Sequence, residues 1–244
     1  MILVETLGKT FDDAPVLRGV SFSVSPGEVF GLLGPNGAGK TTTLRILATL
    51  LAPTQGRAVV GGFDVVKNPE RVRQLIGVVS GGMGLYDRLT GRETLRYFGQ
   101  LYSLTRRQVD TRIDELDALL GLRDTLGKRA SDYSTGMKQK LVIARAVLHD
   151  PKILFFDEAT SGLDVMARRS VLEFVKGYAA GGRTVLYSTH VMGEVEELCS
   201  RVAILYGGEL IAQGTPSSLM REAGVGSLER AFFTLVERRL EASA

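Results

Sequence analysis

One octapeptide, Gly34-Pro35-Asn36-Gly37-Ala38-Gly39-Lys40-Thr41, limits the folds open to this chain more than any other feature. It has the Gly-x4-Gly-Lys-Thr spacing of a phosphate-binding loop, and it follows an apolar run from Glu28 to Leu33 that reads as a strand. After it, Leu44, Leu47 and Leu51 recur at helical spacing and predict a helix over 40–51. Glycines let the loop curl its backbone N–H groups around phosphate oxygens without Cβ interference, and the helix N-terminus adds the positive end of its dipole. In that setting Lys40 reaches the β- and γ-phosphates, the Thr41 hydroxyl binds Mg²⁺, and Thr42 stands beside it in the first helical turn.

A second run, Ile153-Leu154-Phe155-Phe156, is too short for a helix and ends in Asp157-Glu158. As a buried strand it delivers both carboxylates to one edge of a sheet. Successive side chains on a strand point apart, so the two acids take different work: Asp157 in the Mg²⁺ shell, Glu158 polarising an attacking water.

The rest of the chain is organised around these two motifs. Ile2 to Val24 reads as strands broken at Asp12-Asp13-Ala14-Pro15, with Val20, Phe22 and Val24 alternating against serines. From residue 84 to residue 134 no strand pattern intervenes, and Val109, Ile113, Leu116 and Leu120 mark one helix face. Beyond Pro151 strands and helices alternate, which argues for a parallel sheet covered by helices. The segment over 227–240, with Leu228, Phe232, Leu235 and Val236, reads as a docking helix.

Composition excludes several classes. The 30 basic and 27 acidic residues leave a formal charge of +3, and arginines interleave with acids as in Arg112-Ile113-Asp114-Glu115, so no nucleic-acid stripe is expected. A lone Cys199 cannot form an internal disulfide and suits a reducing, cytoplasmic compartment. No stretch approaches the roughly 18–20 apolar residues of a spanning helix. The opening Met1 to Thr10 alternates like a strand instead of reading as an export signal. His149, at the end of a helix, is expected to sit partly charged against the dipole, and Cys199 to pack as a small apolar residue.

Taken in order over nearly the whole chain, these motifs resemble those of the ATP-binding subunits of the ABC transporter superfamily. The resemblance implies an α/β, P-loop NTPase core with a mixed sheet, an antiparallel β edge and a helical subdomain. It implies one ATP-binding domain over 1–244, with the helical insertion at about 84–134 and a C-terminal helix at about 227–240. On the same footing Phe11 resembles the aromatic residue that stacks on adenine, and Ser161-Gly162-Leu163-Asp164 resembles the D-loop that reaches across a dimer. His190, in Ser188-Thr189-His190, resembles the switch histidine at the γ-phosphate.

Tyr133-Ser134-Thr135-Gly136-Met137 stands where the family has Leu-Ser-Gly-Gly-Gln; it keeps Ser134 and Gly136, which hold the γ-phosphate bound to the opposite subunit. Gly81 occupies the place where the family usually has a glutamine that touches Mg²⁺ and links the nucleotide to the membrane subunit; either the following loop, Gly82-Met83-Gly84-Leu85-Tyr86-Asp87, supplies a substitute through water or backbone, or the coupling is looser than in the family. The pattern from Gly84 to Thr90, with Ser134 to Gln139, is similar to the sodium-extrusion and drug-efflux branch.

The function implied is ATP hydrolysis, with Mg²⁺, that energises an efflux transporter exporting sodium or drugs. Two copies close over ATP, Glu158 and His190 promote attack by water, and separate integral membrane permease subunits take up the motion. The subunit then sits on the inner face of the cell membrane. Competing expectations are a soluble ABC-type ATPase of DNA repair or translation and a nucleotide-responsive module that binds without turnover. A short insertion between Lys40 and Ser134 and a single phosphate loop weigh against the first, and Glu158 against the second.

Overall fold

The computed structural model describes residues 1–81 and 83–242. Its N-terminal half opens with β1 (Ile2–Phe11) and β2 (Ala14–Val24), joined through Asp12 and Asp13, both at positive φ. Then come β3 (Val29–Leu33), α1 (Lys40–Leu47), β4 (Gln55–Val60), the short β5 (Phe63–Asp64), α2 (Pro69–Leu75) and β6 (Ile76–Ser80). A helical stretch follows: α3 (Gly91–Leu101), α4 (Arg106–Leu120), α5 (Arg123–Leu126), a 3₁₀ turn at Ala130–Asp132 and α6 (Thr135–Val147). The chain closes with β7 (Ile153–Asp157), α7 (Val165–Ala180), β8 (Thr184–Thr189), α8 (Met192–Leu198), β9 (Arg201–Tyr206), β10 (Glu209–Gly214), α9 (Pro216–Ala223) and α10 (Leu228–Glu241).

A six-stranded sheet runs β10-β9-β3-β8-β7-β6, parallel throughout except for β10. Its central strands β3, β7 and β8 are buried at every residue, as strands covered on both faces must be. Alternation along β7 divides the core: Leu154 and Phe156 face one cluster with the helices α6 and α7, Ile153 and Phe155 face the other with α1 and the N-terminal strands. The antiparallel part of the fold lies in two places. β10 is the edge of the large sheet, and β2-β1-β4-β5 form a separate four-stranded sheet over α1.

Local chemistry sets the element ends. Capping boxes at Thr90/Glu93 and Thr105/Gln108 start α3 and α4, so residues 84–90 form the approach to the helical region instead of its first helix. α1 stops at Leu47, short of the expected Leu51, because Thr49 turns left-handed (φ 63°) and the N–H groups of Leu50 and Leu51 fold back on the Arg45 carbonyl. α10 buries Leu228, Phe232, Leu235 and Val236 against α9 and the strands beneath.

His149 differs from expectation. Its ring stacks on Tyr102 at 3.7 Å, and Nε2 lies 3.0 Å from the Ile76 carbonyl of β6. Burial pushes its pKa below the ordinary value, so the imidazole is a neutral packing group, not a partly charged partner of the α6 dipole. Cys199 is buried beside Gly31, and burial pushes its thiol up to about 12.

Candidate active site

The phosphate loop joins the C-terminal end of β3 to α1, in the crevice outside the strand ends where open α/β sheets present ligands. Two of its glycines are required by space. A Cβ on Gly34 would collide with the Leu205 carbonyl of neighbouring β9. Gly39, the residue before α1, has φ 102°, and a Cβ there would lie 2.5 Å from Leu17 Cδ2. Pro35 and Asn36 lead to Gly37 at φ 81°, and Ala38 packs into the core, so Asn36 and Gly37 form the exposed crest.

Lys40 is 4% exposed and fully engaged. Its ammonium donates to the carbonyls of Gly34 at 2.7 Å and Pro35 at 3.0 Å, and pairs with Glu158 Oε1 at 3.0 Å. One helix position on, Thr41 donates from Oγ1 to Asp157 Oδ1 at 3.2 Å, and Thr42 is half-buried beside it. Ser188 Oγ on β8 donates to the same Asp157 oxygen at 3.2 Å. Sequence reasoning gave Ser188 no role of its own; the parallel pairing of Asp157 with Ser188 across β7 and β8 is what brings it there.

The two adjacent acids are separated by more than strand alternation. Glu158 stands at φ 49°, a left-handed conformation unusual outside glycine, held by its N–H bond to the Ser188 carbonyl. That turn aims its carboxylate at Lys40, while Asp157 stays with Thr41. Burial pushes the Glu158 carboxyl up, but the hydrogen bond and charge of Lys40, with His190, outweigh it and hold the group below its ordinary value. His190 Nδ1 lies 3.5 Å from Glu158 Oε1, and the ring is half-exposed at the end of β8.

One hydroxyl and one carboxylate oxygen converge at Thr41 and Asp157. They are hard donors that suit a Mg²⁺ ion completing its shell with water and phosphate oxygens. Among the described residues no cluster of three or more His, Cys, Asp or Glu side chains forms a self-sufficient metal cage.

Four further residues lie at other edges. Phe11 ends β1 with its ring 40% exposed and Lys9 Nζ 4.8 Å from the centroid, so its face is free of core packing. Ser134 caps α6, accepting from the Met137 N–H at 3.3 Å, and Asp164 caps α7, accepting from the Ala167 N–H at 2.8 Å. A Cβ on Gly136 would stand 3.3 Å from Ala167, so the starts of α6 and α7 lie side by side. Among the described residues no hydrogen bond or ion pair joins Ser134, Gly136 or Asp164 to the phosphate loop of the same chain. Gly81 donates its N–H to the Asp157 carbonyl at 2.9 Å, and a Cβ on it would lie 3.2 Å from the Glu158 carbonyl. Of the loop that follows, Gly82 lies outside the described residues.

The ABC transporter family model matches residues 17–161, which include the phosphate loop and both acids. The chain is 43% identical to the ABC transporter ATP-binding protein NatA of Bacillus subtilis (strain 168), over 98% of this chain and 99% of that one. It is 38% identical to the linearmycin resistance ATP-binding protein LnrL of the same organism, over 92% of this chain and 72% of that one. With the daunorubicin resistance ATP-binding protein DrrA3 of Streptomyces coeruleorubidus it shares 40% identity, over 91% and 71%. A solved structure described as an ATP-binding subunit of an ABC transporter matches at a TM-score of 0.88 and 32% identity, covering 97% of this chain and 99% of that one. A dimeric ATP-binding cassette in a post-hydrolysis state, bound to ADP and Pi, shares the fold at a TM-score of 0.80 and 23% identity, over 88% and 98%. From the family match and these end-to-end similarities, the chain belongs to the ABC transporter family, as one of its ATP-binding subunits.

Proposed function

We propose that this chain is the ATP-hydrolysing subunit of an efflux transporter, acting as a pair of identical copies on separate integral membrane permease subunits at the inner face of the cell membrane. The observation that carries the reading is the convergence of Lys40, Thr41, Asp157, Glu158 and His190 at the ends of β3, β7 and β8. Lys40 leaves Glu158 to take up the β- and γ-phosphates, which frees the carboxylate to polarise water for in-line attack. His190 meets the γ-phosphate, and Phe11 offers its exposed ring to adenine. Thr41 and Asp157 would hold Mg²⁺, which when bound would neutralise phosphate charge.

Ser134 and Gly136 at the head of α6, beside Asp164, lie apart from the loop of their own chain and serve the nucleotide of the second copy. No helix among the described residues is long and apolar enough to cross a membrane, which fits a subunit whose permease is a separate chain. The resistance proteins among the relatives fit a drug-like exported molecule, beside the sodium implied by the branch resemblance, and the ABC transporter protein NatA supports transport over DNA repair or translation.

Light scattering of Glu158→Gln with and without MgATP, beside wild-type turnover as a function of protein concentration, tests this. A nucleotide-dependent dimer with cooperative wild-type hydrolysis is expected. A variant that binds ATP and stays monomeric at every concentration overturns the identical pair.

A further inference from the structure

Glu194, on α8, is 2% exposed and takes no part in the steps above. Removing a carboxylate from water is costly, so its burial needs compensating partners. Its Oε2 accepts from Thr189 Oγ1 at 2.8 Å and from the Tyr187 hydroxyl at 3.1 Å, both on β8. Thr189 Oγ1, while donating to Glu194, accepts from the Val191 N–H at 3.0 Å. The residues before and after His190 are thus tied to one carboxylate through one hydroxyl. Its second oxygen, Oε1, makes no hydrogen bond among the described residues and faces Arg168 Nε on α7 at 3.6 Å as an ion pair, while the backbone N–H of Arg168 bonds the Asp164 carbonyl at 2.9 Å in the first turn of that helix.

We propose that Glu194 is a positioning residue: through Thr189 it fixes the His190 imidazole against Glu158, and through Arg168 it links that loop to the helix that starts after Asp164. A neutral side chain of similar size would fill the space equally well. A carboxylate accepts from the Thr189 and Tyr187 hydroxyls on one oxygen and presents the negative charge of the other to the Arg168 guanidinium. The catalytic consequence rests on the role given to His190 under the proposed function; the positional one does not.

The chain has two histidines, so its imidazole Cε1–Hε1 cross-peaks can be assigned with a single His190→Gln variant. Glu194→Gln keeps an acceptor for Thr189 and Tyr187 but turns an N–H toward Arg168. In the nucleotide-free protein this variant is expected to shift or broaden the His190 cross-peak and leave that of His149 in place. Thr189→Val, which keeps the volume and removes the link, is expected to do the same. In steady-state hydrolysis Glu194→Gln lowers kcat by about tenfold to a hundredfold, as expected when the group that meets the γ-phosphate is displaced, with KM for ATP within about twofold. In a His190→Ala background the same change costs less than about twofold, because its effect runs through the lost imidazole. An unmoved His190 cross-peak in either variant, or losses that multiply in the double variant, overturns the proposal. Wild-type protein without ATP turnover would remove the functional reading, while the imidazole spectra still decide whether Glu194 positions His190.

Discussion

In the nucleotide-free chain Glu158 competes with ATP for Lys40, so removing its charge should tighten nucleotide binding even as it abolishes turnover. The pair is 3.0 Å long, with Lys40 at 4% and Glu158 at 26% side-chain exposure. At an effective dielectric of about 20 the bare attraction is about 5.5 kcal/mol, most of it offset by the desolvation of both groups. A net of about 0.7–1.4 kcal/mol, from the upper end of the range of about 0–1 for exposed pairs to slightly above it for this part-buried one, corresponds to about threefold to tenfold in affinity. Glu158→Gln leaves Lys40 on the Gly34 and Pro35 carbonyls, still placed for phosphate.

Fluorescent or calorimetric ATP titration should therefore give a dissociation constant about threefold to tenfold lower for the variant. The measurement belongs at protein concentrations where light scattering gives a monomer. The sign of the pH dependence follows from the depressed Glu158 carboxyl: the pair is complete above the ordinary carboxylate pKa and is lost as pH falls through the lower folded value. The ratio of the two dissociation constants, in which the titration of ATP itself cancels, should thus fall toward one on acidification and hold steady above pH ~6. Equal or weaker binding by the variant at neutral pH would refute the competition.

Other consequences are simpler to state. Gly39→Ala places a Cβ 2.5 Å from Leu17 Cδ2 at a φ of 102°, and should cost about 2–4 kcal/mol in urea unfolding, with phosphate binding lost; a midpoint equal to wild type would contradict it. Phe11→Ala removes an exposed ring, so KM for ATP should rise about threefold to tenfold with thermal stability unchanged; a fall in Tm without a change in KM would show that the ring is structural. Cys199, whose thiol burial pushes up to about 12, should resist alkylation at pH 8 in the native protein and react only as it unfolds; prompt labelling would place it at the surface.

What could be read along the chain was whatever local pattern fixes. The apolar runs of β3 and β7 announce central strands because both faces are covered. Amphipathic spacing announces α4 in the same way, with Val109, Ile113, Leu116 and Leu120 all buried. The β1–β2 pair of the second sheet is legible as alternating strands around Asp12 and Asp13, but its closure is not, because β1 also takes distant β4 as a partner and no local periodicity encodes a pairing between Ile2 and Val60. α9 carries only a start signal in Thr215-Pro216, a capping hydroxyl followed by proline at the first helical position, with no long periodic face to mark it as a helix. Within the site, the loop and the two acids were visible as residue types at fixed spacing. The left-handed turn of Glu158 and the Ser188 contact were not, since both depend on how β8 lies against β7.

A helix-capping role for Ser134 and a role toward a second copy's phosphate do not compete, because they use opposite ends of one hydroxyl. As a cap, Ser134 Oγ accepts from the Met137 N–H through a lone pair, leaving its O–H free to donate outward. The two uses can be separated. Ser134→Ala removes both, and should lose about 1 kcal/mol of stability together with ATP-dependent dimerisation. Ser134→Asp keeps a good cap at the positive end of α6, so Tm should hold, while it replaces the outward donor by a negative charge facing phosphate. Light scattering of both variants with MgATP in the Glu158→Gln background reads the second use alone. A Ser134→Asp chain that still dimerises with ATP would reduce Ser134 to a cap, and Gly136 and the N–H groups of the first turn of α6 would then have to carry the contact.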